Sequence, residues 1–114
     1  MHKRKILIDL DGVLNEYNGS FDEKIIPKAK MGVNDFLEKL SLNADLYLFT
    51  SRNLISATKW LIKNDLEKYF KDVTNIKIPS YLYIDDRCIS FNGNFDETLS
   101  LVENFKPYWN KNIL

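Results

Sequence analysis

Apolar residues recur in this chain in two alternating rhythms. Ile6, Leu7 and Ile8 form an unbroken run with β-branched members, the pattern of a buried strand. Residues 45–49, 73–76 and 81–84 repeat it, each bounded by polar residues. Between these runs the spacing becomes helical. Val33, Phe36, Leu37 and Leu40 fall at i, i+3, i+4 and i+7, one face of an amphipathic helix that fades at Asn43. A second helix is predicted over residues 54–63, with Leu54, Ala57, Thr58, Leu61 and Ile62 facing inward and Asn64 as a left-handed cap. A third is predicted over 97–104, with Leu99, Leu101 and Val102 as core candidates. Pro107 ends it, and Tyr108 and Trp109 are expected to pack back on the body. Residues 13–30 contain the turn signal Asn18-Gly19-Ser20 and the breaker Pro27. They read as an ordered loop or flap with a short extended piece at 24–26.

Strands alternating with helices imply βαβ crossovers. The expected fold class is therefore α/β, a mainly parallel Rossmann-like sheet flanked by helices. A length of 114 residues suits one domain, 1–114, and 45% hydrophobic residues suffice for its core, which excludes a disordered chain. Sixteen basic and sixteen acidic residues cancel, so no global field draws in nucleic acid or membrane. No apolar stretch approaches the length of a membrane span. The run after Met1-His2-Lys3-Arg4-Lys5 meets aspartates too soon for a signal peptide. The single cysteine, Cys88, can form no internal disulfide, fits a reducing compartment and reads as a small buried residue. A soluble cytoplasmic protein is the expectation.

Ligands of parallel sheets bind outside the carboxyl ends of the strands. Three predicted strands here finish in polar residues: Asp9 and Asp11, Thr50 and Ser51, Asp85 and Asp86. On an extended chain, side chains at i and i+2 share a face, so Asp9 and Asp11 point into one small volume. Four carboxylates gathered at one sheet edge repel each other unless a cation sits among them. The only histidine is His2 and there is no cysteine cluster, which argues against zinc. Magnesium, a hard cation that takes oxygen ligands, fits the donor set. Each segment also has an ordinary structural explanation. Asp11-Gly12 can be a simple turn, Asp85-Asp86-Arg87 a salt-bridged turn, Thr50 a helix cap and Lys77 a surface lysine.

Taken in order, Asp9-Leu10-Asp11-Gly12-Val13, Phe49-Thr50-Ser51-Arg52, Lys77 and Ile84-Asp85-Asp86-Arg87 resemble the four motifs of the haloacid dehalogenase-like superfamily. The resemblance spans roughly residues 5–90. It implies Asp9 as a nucleophile that forms an aspartyl-phosphate, and Asp11 as the acid for the leaving oxygen and then the base for water. It further implies Thr50 and Ser51 as phosphate-binding residues and Lys77 as the cation that neutralises the phosphoryl group. Magnesium would be held by Asp9, Asp85 and the main-chain carbonyl of Asp11, with Asp86 in support. Dehalogenating members lack the second aspartate of the first motif, so Asp11 points to phosphoryl transfer.

About 38 residues separate Asp11 from Thr50 and about 26 separate Thr50 from Lys77, too few for a folded cap domain in either gap. The expectation is a capless, magnesium-dependent phosphomonoesterase with an open site. Such a site suits a bulky phosphorylated substrate or a lid from a neighbouring subunit, so a homo-oligomer is also expected. Two alternatives stand beside it. One is a non-catalytic magnesium- or phosphate-binding domain of the same fold. The other is an enzyme like the polynucleotide 3′-phosphatases, to which the neutral net charge lends no support.

Overall fold

Four strands carry the apolar runs: β1 (Arg4–Asp9), β2 (Ala44–Phe49), β3 (Phe70–Thr74) and β4 (Leu82–Ile84). They belong to a computed structural model that describes residues 3–110, so His2 lies outside the described residues. The strands form one parallel sheet in the order β3-β2-β1-β4. Chain order thus reverses between β1 and β4, which makes the crevice at their carboxyl ends the switch point of the sheet. Three helices complete the fold: α1 (Val33–Ser41), α2 (Leu54–Lys63) and α3 (Phe95–Glu103). The chain is a small α/β domain of Rossmann-like type, as the alternation of patterns predicts.

Alternation along β1 and β2 sends Ile6, Ile8, Leu46 and Leu48 to one face, where they meet Leu37 of α1 and Ala57, Trp60 and Leu61 of α2 in a single core. Burying each such leucine stabilises the fold by roughly 1.5–3 kcal/mol. Leu7 is equally buried but stands outside that cluster, on the other face of the sheet.

Several expectations are corrected in detail. In α2 the inward row is Ala57, Trp60 and Leu61, and Ile62 is exposed. Ala57 and Leu61 face inward as expected, and Trp60 joins them, its indole donating from Nε1 to the flap carbonyl of Pro27 at 3.0 Å. Asn64 is not left-handed; Asp65 takes that conformation at φ 58°. The extended part of the flap is not 24–26. It lies where Asn15 pairs antiparallel with Ala29, through Glu16 N–H to Lys28 O and Lys30 N–H to Leu14 O, both 2.9 Å. Most consequentially, α3 begins on an Asn94 side-chain cap and holds its shape, yet none of its residues is buried. Leu99, Leu101 and Val102 are all exposed rather than core. Tyr108 and Trp109 do pack back, and Tyr108 donates its hydroxyl to the carbonyl of Gly12 at 2.5 Å. Among the described residues, no helix is long and apolar enough to cross a membrane.

Candidate functional site

Asp9 is the last residue of β1, and β4 ends one residue before Asp85, so the two carboxylates flank the switch point directly. Parallel pairing in the register Ile8 to Ile84 brings the two strand ends level. Ligand oxygens of Asp9, Asp85 and Asp86 all lie within 4.8 Å of one another. Thr50 follows β2, the other neighbour of β1, and its amide is anchored on the carbonyl of Thr74 at 3.0 Å. A cavity of about 320 Å³ is lined by Asp9, Asp11, Thr50, Ser51, Asp85 and Asp86, together with Tyr17, Phe21 and Arg87. Six of the seven residues singled out from the sequence therefore share one pocket.

The seventh does not. Lys77 sits with its ammonium 4.8 Å from the centre of the Tyr83 ring and does not line the cavity. The physical reason is direction. The segment between β3 and β4 leaves the carboxyl edge of the sheet and must return to the amino edge, because the strands are parallel. Three residues past β3, Lys77 has already left the edge where the acids gather. The cation that lines the cavity is Arg87, whose guanidinium rests over Trp109 at 5.0 Å and Tyr17 at 5.9 Å. Among the described residues Arg87 makes no ion pair with Asp85 or Asp86, so this is not a salt-bridged turn. Its main-chain N–H instead donates to Asp85 Oδ1 at 2.8 Å.

Asp11 is held differently from the other three acids. Its Oδ2 accepts from Arg52 Nε at 2.7 Å and its Oδ1 from Asn15 Nδ2 at 3.1 Å. Both carboxylate oxygens of Asp11 are thus engaged in hydrogen bonds, and the atom that the resemblance assigns to magnesium is its main-chain carbonyl. Arg52 is buried, and its remaining N–H groups donate to the flap carbonyls of Asp22 at 2.9 Å and Ile25 at 3.5 Å. One side chain thus binds the end of β2, the turn after β1 and the flap. Thr50 Oγ1 accepts from Arg52 N–H at 3.1 Å, and the cap of α2 is Asn53, not Thr50, through Ser56 N–H at 3.0 Å. Cys88, expected to be buried, is exposed.

With Asp11 neutralised by Arg52, Asp9, Asp85 and Asp86 remain without a comparable partner. Burial is the largest influence on Asp9 and pushes its pKa up to about 8. The hydrogen bond with Asp86 and the charges of Asp85 and Asp86 push the same way, against the Leu10 N–H. Trp109 donates its indole N–H to Asp86 Oδ2. Gly12 makes this close approach possible: at φ +86° it lies where a Cβ would come within 2.7 Å of Asp86 Cγ and 2.9 Å of the Trp109 nitrogen. The sequence offers no local signal for the Arg52–Asp11 and Trp109–Asp86 pairings, which join residues 41 and 23 positions apart.

No family model matches the chain, and no curated protein matches its sequence significantly. A solved structure of a conserved protein coded by a locus of Bacteroides thetaiotaomicron is similar to it. The two share 20% identity, the TM-score is 0.61, and the match covers 90% of this chain and 91% of that one. At that identity the likeness speaks to the fold alone.

Proposed function

We propose that this chain is a capless phosphatase of the haloacid dehalogenase-like kind, hydrolysing phosphate monoesters through an aspartyl-phosphate on Asp9 with the help of Mg2+. The observation that carries the reading is the grouping of Asp9 with Asp85 and Asp86 at the switch point of a parallel sheet. Three carboxylates without histidine or thiolate form an oxygen-only donor set, which fits a hard divalent cation. When bound, the ion supplies positive charge that lets Asp9 ionise and that offsets the charge of the phosphoryl oxygens.

The side chains then have distinct tasks. An oxygen of Asp9 attacks phosphorus and the bond to the leaving oxygen breaks, while Asp11 delivers a proton to that oxygen. Water next attacks phosphorus, Asp11 takes its proton, and the bond to Asp9 breaks to release phosphate. For Asp11 Oδ2 to carry the proton, Arg52 Nε must draw back from it. Thr50 and Ser51 offer hydroxyls to the phosphoryl group, and Arg87 takes the neutralising role first expected of Lys77. A second cavity of about 730 Å³, bordered by Glu23, Lys24, Arg52, Asn53 and Ser56, shares Phe21 and Ser51 with this pocket and lies beside it as room for a leaving group. The exposed lone thiol of Cys88 suits a reducing compartment such as the cytoplasm.

The test is turnover of p-nitrophenyl phosphate with and without Mg2+, beside Asp9→Asn. Metal-dependent hydrolysis that is lost in the variant is the expected result. Intact Mg2+ binding with no turnover on a broad panel of phosphate esters would overturn it in favour of a binding domain.

A further inference from the structure

Asp9 and Asp86 are placed by the ends of β1 and β4, but the group that holds Asp86 comes from the far end of the described chain. Past α3 the backbone turns at Pro107, and Asn110 N–H donates to the carbonyl of Pro107 at 3.0 Å. Tyr108 and Trp109 stand on this turn, and both reach back to the acids. The hydroxyl of Tyr108 is bonded to the carbonyl of Gly12, directly after Asp11, and the ammonium of Lys30 lies over its ring at 5.1 Å. Trp109 gives its indole N–H to Asp86 Oδ2, in the space that Gly12 keeps open by lacking a side chain.

The indole ring is itself held from several sides. Tyr17 of the flap meets it edge-on, with ring centres 5.1 Å apart and planes at 83°. Gly19 lies so close that a Cβ there would come within 3.1 Å of the ring, and the guanidinium of Arg87 covers it at 5.0 Å. Asp86 is only partly buried, so water alone would satisfy its carboxylate. A fixed donor does what water does not: it sets the plane of the carboxylate. The donor is also uncharged. A cation on Asp86 would compete with a metal ion for the same oxygens, and the acid that does carry one, Asp11 on Arg52, stands outside the cluster of three.

We propose that Trp109 is a positioning residue for the cation site: by holding Oδ2 it fixes the plane in which Asp86 offers its lone pairs to Mg2+ beside Asp9 and Asp85. The inference rests on the reading of those three carboxylates as a magnesium site. Without the indole, repulsion from Asp9 and Asp85 turns the Asp86 side chain outward, toward water. An arriving ion then has to gather a mobile ligand and offset the freedom that ligand loses. With the indole in place that ordering is already done when the chain folds. Loss of a hydrogen-bond partner behind a metal ligand typically lowers affinity by about 10–100-fold.

Calorimetric titration of the full chain with Mg2+ alone, without substrate, tests this. Trp109→Phe keeps an aromatic ring against Tyr17 and removes the N–H. It should weaken Mg2+ binding by about 10–100-fold. Tyr108→Phe removes the other hydrogen bond of the same turn and leaves Asp86 its donor, so affinity should stay within about twofold. In the unsubstituted chain, the indole N–H resonance of Trp109 should shift as Mg2+ saturates the site. Equal affinity in the unsubstituted chain and Trp109→Phe would overturn the inference and leave the phosphatase reading standing. So would equal weakening by the two variants, since docking of the turn would then explain both, or a Trp109 resonance that ignores saturating Mg2+. An unsubstituted chain that binds no Mg2+ would overturn this inference and the proposed function together.

Discussion

Asp9→Asn should make the metal-free protein more tolerant of alkaline conditions, even though it abolishes the proposed nucleophile. The carboxyl of Asp9 titrates near 3.8 in an unfolded chain and near 8 in the fold. Between those values the folded protein holds a proton that the unfolded chain releases. The stabilisation from this group is therefore complete below about pH 4 and lost as pH rises through about 8. At about 1.4 kcal/mol per pH unit the gap sets a ceiling near 6 kcal/mol. Asp9 is only partly buried, and water at the open side screens the effect, so about 2 kcal/mol between roughly pH 5 and pH 9 is the working figure. Urea denaturation in EDTA measures it. The unsubstituted chain should lose about 2 kcal/mol more than Asp9→Asn across that interval. Millimolar Mg2+ should restore the loss at the alkaline end, with metal affinity rising as the proton leaves. Parallel stability curves for the two proteins in EDTA would refute the reasoning.

Removal of Arg52 leaves Asp11 without its main partner and frees the flap, so Arg52→Ala should lower stability by about 3 kcal/mol in chemical denaturation. Arg52→Lys should recover only part of that, because an ammonium cannot serve Asp11, Asp22 and Ile25 from one planar fork. Gly12→Ala should cost about 2–3 kcal/mol, from the positive φ and the contact with Asp86 and Trp109, and should weaken Mg2+ binding by isothermal titration. Arg87→Ala should depress kcat/KM for phosphate esters by tenfold or more, while Lys77→Ala should leave it within twofold; the reverse order would return the neutralising role to Lys77.

Periodicity was enough to read β1, β2, α1 and α2, because each sends a row of apolar residues to one core (Ile6 and Ile8, Leu46 and Leu48, Leu37, and Ala57 with Leu61) and local spacing reports that row. α3 defeats the same logic. Leu99 and Val102 announce an apolar face, but spacing cannot say what covers it, and among the described residues none of α3 is buried. The acidic residues of the site were legible because they follow apolar runs, and parallel strands deliver the residues after such runs to one edge. Lys77 falls outside the cavity, and spacing could not tell this because its place depends on the direction of the segment beyond β3, a property of strand order rather than of neighbouring residues. Arg52 stood in view beside Thr50 without a task, since its partners at Asp11, Asp22 and Ile25 become neighbours only when the flap folds over the sheet.

The exposure of Cys88 has a practical use. It is the only thiol in the sequence, and it lies one residue from the arginine that lines the acidic cavity. It also borders a small hollow shared with Val102 and Phe105 at the end of α3. A single maleimide fluorophore or spin label attached there, with no mutagenesis, would sit between the two regions and report on changes at either in one sample.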